Sequence, residues 1–253
     1  MLEPITVWLT PPGPNPWKVV LILEELGVPY TIHSFKFDDV KKPPFTDINP
    51  NGRAPGVLFI CFALIIINLT LWESGAIIQY LEEVYDKDKK LTYDSLNERQ
   101  LLNQWLHFQM SGQGPYFGQC GWFNVLHPEK IPSAIQRYRN EALRILGVLD
   151  TALEGKSWLV GDKCTFADLA FVPWNTRLDS VLATLPGEDP LDSFPNVRLS
   201  HHRMITRDSW KRAIVLRDKY MEEQGLQPNG IPKGMKSFQE YEERIQKQAA
   251  EKV

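Results

Sequence analysis

Two places where a predicted strand runs into a predicted helix carry polar side chains that suit ligand binding. The stretch LWESGAII brings Glu73 and Ser74 to a helix start, where free backbone N–H groups and the helix dipole attract a carboxylate. The stretch PPGPNPWKVVLILEELG places Asn15 at a second junction of this kind. At both junctions a plain helix cap is the competing interpretation, because Ser and Asn are preferred N-cap residues.

The residues around Asn15 predict a helix with defined ends. Asn15 suits the N-cap, Pro16 suits the first helical position and Gly27 suits the position after the last turn. We therefore predict a helix over residues 16–26. Its apolar residues cover more than one stripe, which indicates a helix packed against both a sheet and other helices.

The other candidate catalytic or metal-binding residues either have a structural explanation or lack the sequence motif that such a site requires. Thr165 and Asp168 in GDKCTFADLAF have the spacing of a capping box, so we do not expect Asp168 to be catalytic. The sequence has no glycine-rich phosphate loop, and ESGAI lacks the first glycine of a nucleophile elbow, which excludes Ser74 as a triad serine. The three cysteines form no C-x-x-C pair, and the histidines have no ligand spacing. No disulfide and no metal site are predicted.

Composition narrows the class of protein. The chain has 253 residues, 43% of them hydrophobic and 23% charged, which is typical of a globular protein with one large or two ordinary domains. Its net charge of −3 gives no basic footprint for nucleic acid. The N-terminus lacks a secretory signal, and no apolar run is long enough for a membrane span. We expect a cytoplasmic protein without nucleic-acid or membrane partners.

The first third of the chain alternates strand and helix patterns. ITVWLT predicts a strand, the helix follows, YTIHSFKF predicts a second strand, and residues 56–72 with SGAIIQYLEEVYD predict two strands and a helix. This is a βαβ unit followed by a ββα unit. The charged stretch at 86–92 is typical of an inter-domain linker, so we predict domains over 1–87 and 93–253.

The second domain is predicted to be all-helical. Apolar periodicity predicts helices over about 95–112, 132–153, 165–183 and 206–224, with loops rich in Pro and Gly between them.

Three motifs together resemble the glutathione transferase family. They are NPNGRAP at 49–55, LWESGAIIQYL at 71–81 and GDKCTFADLAF at 161–171, in the order that this family shows. GPNPWKVVLILEELGVPY, WLHFQMSGQGPYFGQ and GLQPNGIPKGMKSFQEYEERI are similar to the fungal branch that includes the yeast nitrogen-catabolite regulator, with disulfide-bond reductases among its bacterial relatives. The resemblance implies a thioredoxin-like N-terminal domain, an all-helical C-terminal domain, and glutathione as co-substrate.

The resemblance also assigns a catalytic role to Asn15. In this branch an Asn at the helix start replaces the usual Tyr, Ser or Cys, and Asn15 occupies that place. Its side-chain oxygen can cap the helix while its amide N–H points to the thiol of glutathione. Lowering a thiol pKa by about two units from about 8.5 requires roughly 2.7 kcal/mol, which a charge-assisted hydrogen bond and a helix end can supply.

The same resemblance implies the contacts of the tripeptide. Ser74 takes the γ-glutamyl carboxylate and Glu73 faces the ammonium group. Pro55 resembles the cis-proline of the fold, which turns the backbone of Ala54 towards the cysteinyl unit. Arg53 matches the arginine of the family that contacts glutathione.

Three further basic residues are candidates for the ligand. Lys41 is a candidate for the glycyl carboxylate, Lys42 is an equal one, and a solvated pair is the plainer interpretation. Arg137 can approach glutathione from the second domain, although its predicted helix also needs exposed arginines.

A wall for an apolar acceptor is predicted around the Gly-Pro breaks of FQMSGQGPYFGQCGWF. Its members are Gln113, Tyr116, Phe117 and Trp122. Core packing explains the same residues, and the sequence alone does not separate the two interpretations.

We therefore predict a glutathione transferase that conjugates the thiolate to electrophiles, with peroxidase or disulfide-bond reductase activity as related possibilities. The alternative is a non-catalytic regulator with the same fold that binds protein partners. The chain starts close to its first strand, without an Asn- and Gln-rich leader, which favours the enzyme. The resemblance also implies a homodimer that buries the third and fourth helices.

One segment departs from the family pattern. The chain runs apolar from Val57 to Ile67, without the polar turn that should reverse it. We predict a third strand over about 57–62 and a fourth over about 66–71, joined by an apolar turn. We expect that replacing residues 56–68 by a polar hairpin improves solubility and glutathione binding.

Overall fold

A computed structural model of the protein describes residues 5–36, 39–51, 69–235, 240 and 243, and the backbone of residues 62–66. Within these residues a sheet and three helices form the first part of the chain, and helices make up the rest. In the described ranges no helix is both long and apolar enough to cross a membrane.

The strands of the first part form one four-stranded sheet in the order β2–β1–β3–β4. They are β1 (Ile5–Leu9), β2 (Tyr30–Ser34), β3 (Phe62–Ile66) and β4 (Leu69–Trp72). β1 and β2 run parallel, as the βαβ pattern predicts. β3 lies antiparallel to both β1 and β4. This confirms the predicted thioredoxin-like topology.

The limits predicted for the third strand were wrong. β3 starts at Phe62, where the prediction ended, and it pairs with β4 from Ile66 opposite Leu69. Residues 57–61 lie outside the described residues. The error has a physical reason: an unbroken apolar run carries no alternation, Gly, Pro or charge that could fix the register.

The first helix, α1 (Pro14–Leu26), crosses the sheet between β1 and β2. Its N-cap is Gly13, and Asn15 lies inside the first turn without capping it, so that part of the prediction was wrong. Pro14 starts the helix as readily as Pro16, because both lack a backbone N–H and the first turn makes no intrahelical use of that group. Gly27 ends α1 with φ +67°, as predicted.

α1 is buried on nearly every side. It packs against α3 (Ser74–Tyr85) in the first part of the chain, and against α8 (Val172–Asn175) and α11 (Asp208–Glu223) in the helical part. This confirms the prediction of a helix between a sheet and other helices.

Helices account for most of the remaining chain. Apart from those named above, they are α2 (Phe45–Ile48), α4 (Leu96–Phe108), α5 (Gly114–Gly121), α6 (Pro132–Ala152), α7 (Phe166–Leu169), α9 (Leu178–Leu182), α10 (Pro195–Ile205) and two π-helical segments, π1 (Gln109–Gln113) and π2 (Trp122–Leu126).

These helices confirm most of the prediction for the second part. The helices predicted over 132–153 and 206–224 correspond to α6 and α11. The single helix predicted over 165–183 is divided into α7, α8 and α9. Pro173 accounts for the break between α7 and α8, because it cannot donate a backbone hydrogen bond in mid-helix. α10 was not predicted.

The segment between α3 and α4 is held by its own side chains. Both carboxylate oxygens of Asp86 accept backbone N–H groups, from Lys90 at 2.7 Å and from Leu91 at 2.8 Å. Leu91 is buried, and its carbonyl accepts the N–H of Phe166. The linker is therefore ordered and attached to the helical part, and the domain limits at residues 87 and 93 stay a prediction.

A cluster of hydrogen bonds and ion pairs around the buried Glu25 joins α1 to the helical part of the chain. Glu25, whose side chain is 4% exposed, accepts from Arg207 at 2.5 and 2.8 Å and from the Ser209 hydroxyl. Lys90 approaches the same carboxylate at 3.6 Å. Burial would raise the pKa of Glu25, but the hydrogen bonds from Arg207 and Ser209 outweigh it and lower the pKa. We call these four residues the Glu25 clasp.

Candidate functional site

Asn15 is held in one orientation by the helical part of the chain. Its Oδ1 accepts a hydrogen bond of 2.9 Å from the indole Nε1 of Trp174, which is fully buried in α8. An indole N–H can only donate, so the oxygen of the amide must face Trp174 and the NH₂ group must face elsewhere. Within the described residues the Nδ2 of Asn15 has no acceptor. The site therefore presents a side-chain donor at the start of α1.

The composition of the first turn of α1 makes that donor more important. Pro14 and Pro16 have no N–H, so the helix start offers fewer backbone donors than an ordinary one. The turn also contains no acidic residue that would oppose an anion. A negative atom placed here depends on the amide of Asn15 and on the positive end of the helix.

The loop before α1 is fixed by two side chains. Trp17 donates from Nε1 to the carbonyl of Pro11 at 2.9 Å, and Arg177 donates to the carbonyl of Pro12 at 2.7 Å. Both contacts hold the turn between β1 and α1 in place.

The second junction, at Glu73 and Ser74, has a strained backbone. Glu73 lies between β4 and α3 with φ +74°, a conformation that non-glycine residues rarely adopt. Such strain costs about 1–3 kcal/mol and persists where the surroundings impose it, often at functional sites. It places Ser74, which is 1% exposed, at the first position of α3.

A buried lysine that the sequence analysis did not consider lies behind Ser74. The ammonium group of Lys18 donates to three acceptors: Ser74 Oγ at 3.0 Å, Gln109 Oε1 at 2.5 Å and Met110 Sδ at 3.4 Å. Ser74 Oγ in turn lies 3.1 Å from Met110 Sδ, as a donor to the sulfur. Burial lowers the pKa of Lys18 to about 7, and the nearby Glu73 partly offsets this effect.

A chain of buried amides continues from Lys18 into the helical part. Gln109 donates from Nε2 to Gln113 Oε1 at 3.0 Å, and Gln113 donates from Nε2 to Asn175 Oδ1 at 2.7 Å. Because the ammonium can only donate, each amide along this chain must present its oxygen towards Lys18. Gln109 and Gln113 are the first and last residues of π1, and this segment brings their side chains into hydrogen-bonding contact. Such π segments recur at functional sites.

Several predicted glutathione contacts are not tested by the structure. Arg53, Ala54 and Pro55 lie outside the described residues. Lys41 is exposed, and Lys42 forms an exposed ion pair with Asp39 at 3.1 Å. The structure therefore links Ser74 to α1 through Lys18, and all the predicted contacts with glutathione stay predictions.

The predicted acceptor wall divides into interior and surface residues. Gln113 and Phe117 are fully buried, the first in the amide chain and the second edge-on to Trp174 at 6.2 Å between ring centroids. This packing is what the core interpretation expects, and a role for these two residues at the acceptor site stays a prediction. Tyr116 and Trp122 are half-buried, and Arg137 is exposed on α6.

A cavity of about 320 Å³ lies on the other side of the first turn of α1. Pro14, Trp17 and Trp210 form its apolar walls, and Arg177 and Arg217 form its basic side. Burial and the charge of Arg217 lower the pKa of Arg177 to about 9.

The carboxylate of Asp168 is used by the fold. It accepts from the backbone N–H of Thr165 at 2.9 Å and from the Thr165 hydroxyl at 2.7 Å, and its other oxygen accepts from the N–H of Leu159 at 2.8 Å. The predicted capping box is confirmed.

Two family models match most of the chain. Residues 3–83 match the model described as glutathione S-transferase, N-terminal domain, and residues 115–208 match that of the C-terminal domain.

Individual relatives extend this similarity over nearly the full length. The glutathione S-transferase-like protein gedE of Aspergillus terreus is 43% identical over 222 residues, which cover 84% of this chain and 95% of that protein. The transcriptional regulator URE2 of Saccharomyces cerevisiae is 36% identical over 250 residues, which cover 84% of this chain and 68% of that protein. The crystal structure of the glutathione transferase URE2P6 from Phanerochaete chrysosporium, in complex with oxidised glutathione, is similar with a TM-score of 0.78 and 42% identity. That alignment covers 86% of this chain and 98% of the other.

Proposed function

The chain belongs to the glutathione S-transferase family, and we propose that it is a glutathione transferase in which Asn15 stabilises the thiolate of bound glutathione. Family membership confirms the resemblance that the sequence motifs indicated. The role of Asn15, the other contacts of the tripeptide and the second substrate are parts of the proposal.

One observation carries the role of Asn15. Trp174 occupies the oxygen of its amide, so the NH₂ group is the part of the side chain that remains for a ligand. A donor stabilises a thiolate more than a thiol, because a charge-assisted hydrogen bond is stronger than a neutral one. Two pKa units correspond to about 2.7 kcal/mol, and a charge-assisted bond together with the end of α1 is of that order.

In this proposal the two ends of glutathione bind at the two junctions. Its sulfur lies at Asn15, and its γ-glutamyl unit lies at Glu73 and Ser74. Ser74 contributes its hydroxyl and backbone N–H to the carboxylate, and Glu73 faces the ammonium group.

Further contacts of the proposed complex rest on the family resemblance. They come from Arg53, Ala54, Pro55 and Lys41. The second substrate, an electrophile, a peroxide or a disulfide, contacts Tyr116, Trp122 and Arg137, whose side chains are partly or fully exposed. Gln113 and Phe117 are buried, so in this proposal they do not contact the second substrate directly.

The test of Asn15 uses two substitutions that both remove the donor. Asn15→Ala also removes the contact to Trp174, whereas Asn15→Asp keeps an oxygen for Trp174 and adds a negative charge. Ultraviolet titration of bound glutathione is expected to give a thiol pKa about two units below that of free glutathione in the wild type. Both variants are expected to raise that pKa, the Asp variant more because of its negative charge. An unchanged pKa in both variants contradicts the role of Asn15.

Steady-state assays identify the reaction. The wild type is tested with a halogenated nitroarene, cumene hydroperoxide and a small mixed disulfide, with Asn15→Ala as the control for each. Turnover of any of the three that falls in Asn15→Ala supports the enzyme.

The regulator is the second candidate function, because a transcriptional regulator is among the similar proteins. Glutathione binding without turnover of any of the three substrates favours it over the enzyme.

We also propose a homodimer in the cytoplasm. On α4, Leu96 and Leu101 are 61% and 47% exposed, and on β4, Leu69 and Trp72 are 37% and 38% exposed. Contiguous exposed apolar residues are typical of subunit interfaces, and we propose that these four residues lie in one. Light scattering at micromolar concentration tests this proposal, and a monomer mass contradicts it.

A further inference from the structure

Lys18 is a buried cation one turn of α1 after Asn15. Its side chain is 1% exposed, and all three ammonium protons are used by Ser74, Gln109 and Met110. None of these acceptors carries a charge. A buried ammonium group without a carboxylate in contact is costly to the fold, because its charge has lost its water.

The bonds of Lys18 determine what Ser74 can do. Because the ammonium only donates, Ser74 Oγ must accept from it, and the hydroxyl proton of Ser74 remains available for another acceptor. That acceptor is now the thioether sulfur of Met110, at 3.1 Å. A thioether is a weak acceptor, whereas a carboxylate is a strong one. A ligand carboxylate at the start of α3 would therefore be a better partner for Ser74 than Met110.

We propose that Lys18 is a positioning residue for the γ-glutamyl end of glutathione, which aims the Ser74 hydroxyl at the ligand carboxylate and supplies the buried positive charge that this carboxylate neutralises. This inference rests on the proposed function, since it assumes that glutathione binds at Ser74. It adds to that function a residue that does not touch the ligand and a dependence of binding on pH.

The surroundings of Lys18 give the sign of that dependence. Burial lowers the pKa of Lys18 to about 7 in the free protein, and Glu73 is the charged group that acts on it. The side chains around its ammonium, Ser74, Gln109 and Met110, do not titrate near neutral pH. A ligand carboxylate beside Ser74 favours the charged form of Lys18 and raises its pKa. Binding must then take up a proton above pH 7, and affinity must fall as the pH rises through that value.

The experiment uses S-methylglutathione, which has no thiol, so that the effect at Asn15 releases no proton. Isothermal titration of the wild type at pH 6.5 and pH 8.0, in pairs of buffers with different ionisation enthalpies, gives both the affinity and the number of protons taken up. We expect an uptake close to one proton at pH 8.0 and much less at pH 6.5. The uptake of one proton changes the affinity by at most tenfold for each pH unit above the pKa of the group. Because the pKa of Lys18 is about 7, we expect the affinity to fall by about tenfold between pH 6.5 and pH 8.0.

Lys18→Met tests whether Lys18 is the group that takes up the proton. Methionine has a similar length and removes a buried charge, so we expect this variant to fold. Its affinity is expected to be lower than that of the wild type at pH 6.5 and equal at both pH values, without proton uptake. Lys211→Met, at an exposed lysine of α11, is the matched control and is expected to behave as the wild type.

The outcomes separate this inference from the function on which it rests. No binding of S-methylglutathione by the wild type at either pH overturns the proposed glutathione site, and this inference with it. Binding by the wild type without extra proton uptake at pH 8.0, or with the same uptake in Lys18→Met, overturns the role of Lys18 alone. The measurement on the wild type decides the first point even if Lys18→Met fails to fold.

Discussion

The Glu25 clasp allows a substitution whose effect on stability can be worked out in advance. Glu25→Gln keeps the shape of the side chain but removes its charge. Arg207 donates two hydrogen bonds to the carboxylate and Ser209 donates one, and in the variant both residues have a weaker acceptor. Since these bonds join α1 to the helical part of the chain, we expect the variant to lower the free energy of unfolding of the whole protein.

The magnitude follows from burial. Breaking a buried ion pair by neutralising one partner costs about 3–5 kcal/mol. Glu25 is 4% exposed, but the side chain of Arg207 is 29% exposed, so water compensates part of its lost partner. We therefore expect a loss of about 3 kcal/mol, at the lower end of that range. For a chain of this length about 2–4 °C correspond to each kcal/mol, which gives a fall in Tm of about 6–12 °C.

The assay is urea denaturation of the wild type, Glu25→Gln and Glu24→Gln at pH 7 and pH 3. Glu24 bonds to Arg212 in α11, the helix whose N-cap is Arg207, but the side chain of Arg212 is 54% exposed, so Glu24→Gln is expected to cost much less. The pKa of Glu25 is lowered in the folded state, so its contribution is present above the unfolded pKa and is lost as the pH falls through the folded one. The deficit of Glu25→Gln should therefore shrink at pH 3. Equal losses in both variants, or a deficit that is the same at both pH values, would refute the argument.

Three other changes have defined outcomes. Burial and the neighbouring Asp86 raise the pKa of Glu82 to about 9, so the folded protein loses stability as the pH rises from about 4.5 to 9. Glu82→Gln is expected to gain stability over that range, by up to about 1.4 kcal/mol per pH unit in urea denaturation, and a gain that does not grow with pH contradicts this. Gly161→Ala places a Cβ 2.1 Å from the Tyr93 hydroxyl at φ +65°, whereas Gly155→Ala, at φ +67°, meets nothing within 4 Å. We expect the first variant to lose at least about 1 kcal/mol more than the second, and equal midpoints of denaturation would count against the clash. Burial raises the pKa of Cys120 to about 11, so a thiol reagent followed by mass spectrometry should label Cys120 only in denaturant, and rapid labelling of the native protein is the contrary result.

Local patterns in the sequence were sufficient to predict much of the fold. The end of α1 at Gly27, the capping box at Thr165 and the parallel pairing around α1 all follow from residues close together in the chain. The failures also have local causes. Two prolines compete for the first turn of α1, and one apolar run contains no signal for the register of β3.

The candidate site was predictable only in part, because its main contacts join distant residues. Asn15 and Ser74 were recognisable as polar residues at helix starts. The partner of Asn15 is 159 residues away, and one partner of Lys18 is 91 residues away. A lysine in a helix ordinarily extends to solvent, so only the apolar residues all around Lys18 in NPWKVVLIL signalled that it is buried.

α1 fixes the distance between Asn15 and Lys18. Asn15 and Lys18 are three residues apart on one face of the helix, which separates them by about 4.5 Å along the axis. The helix cannot stretch, and the helical part of the chain holds both side chains, one through Trp174 and the other through Gln109. In the proposed complex, Asn15 as the donor to the sulfur and Lys18 as the residue that orients Ser74 are thus already in place before glutathione binds. We expect a tripeptide whose first unit is one methylene shorter, β-aspartyl in place of γ-glutamyl, to lose the contact at one of its two ends.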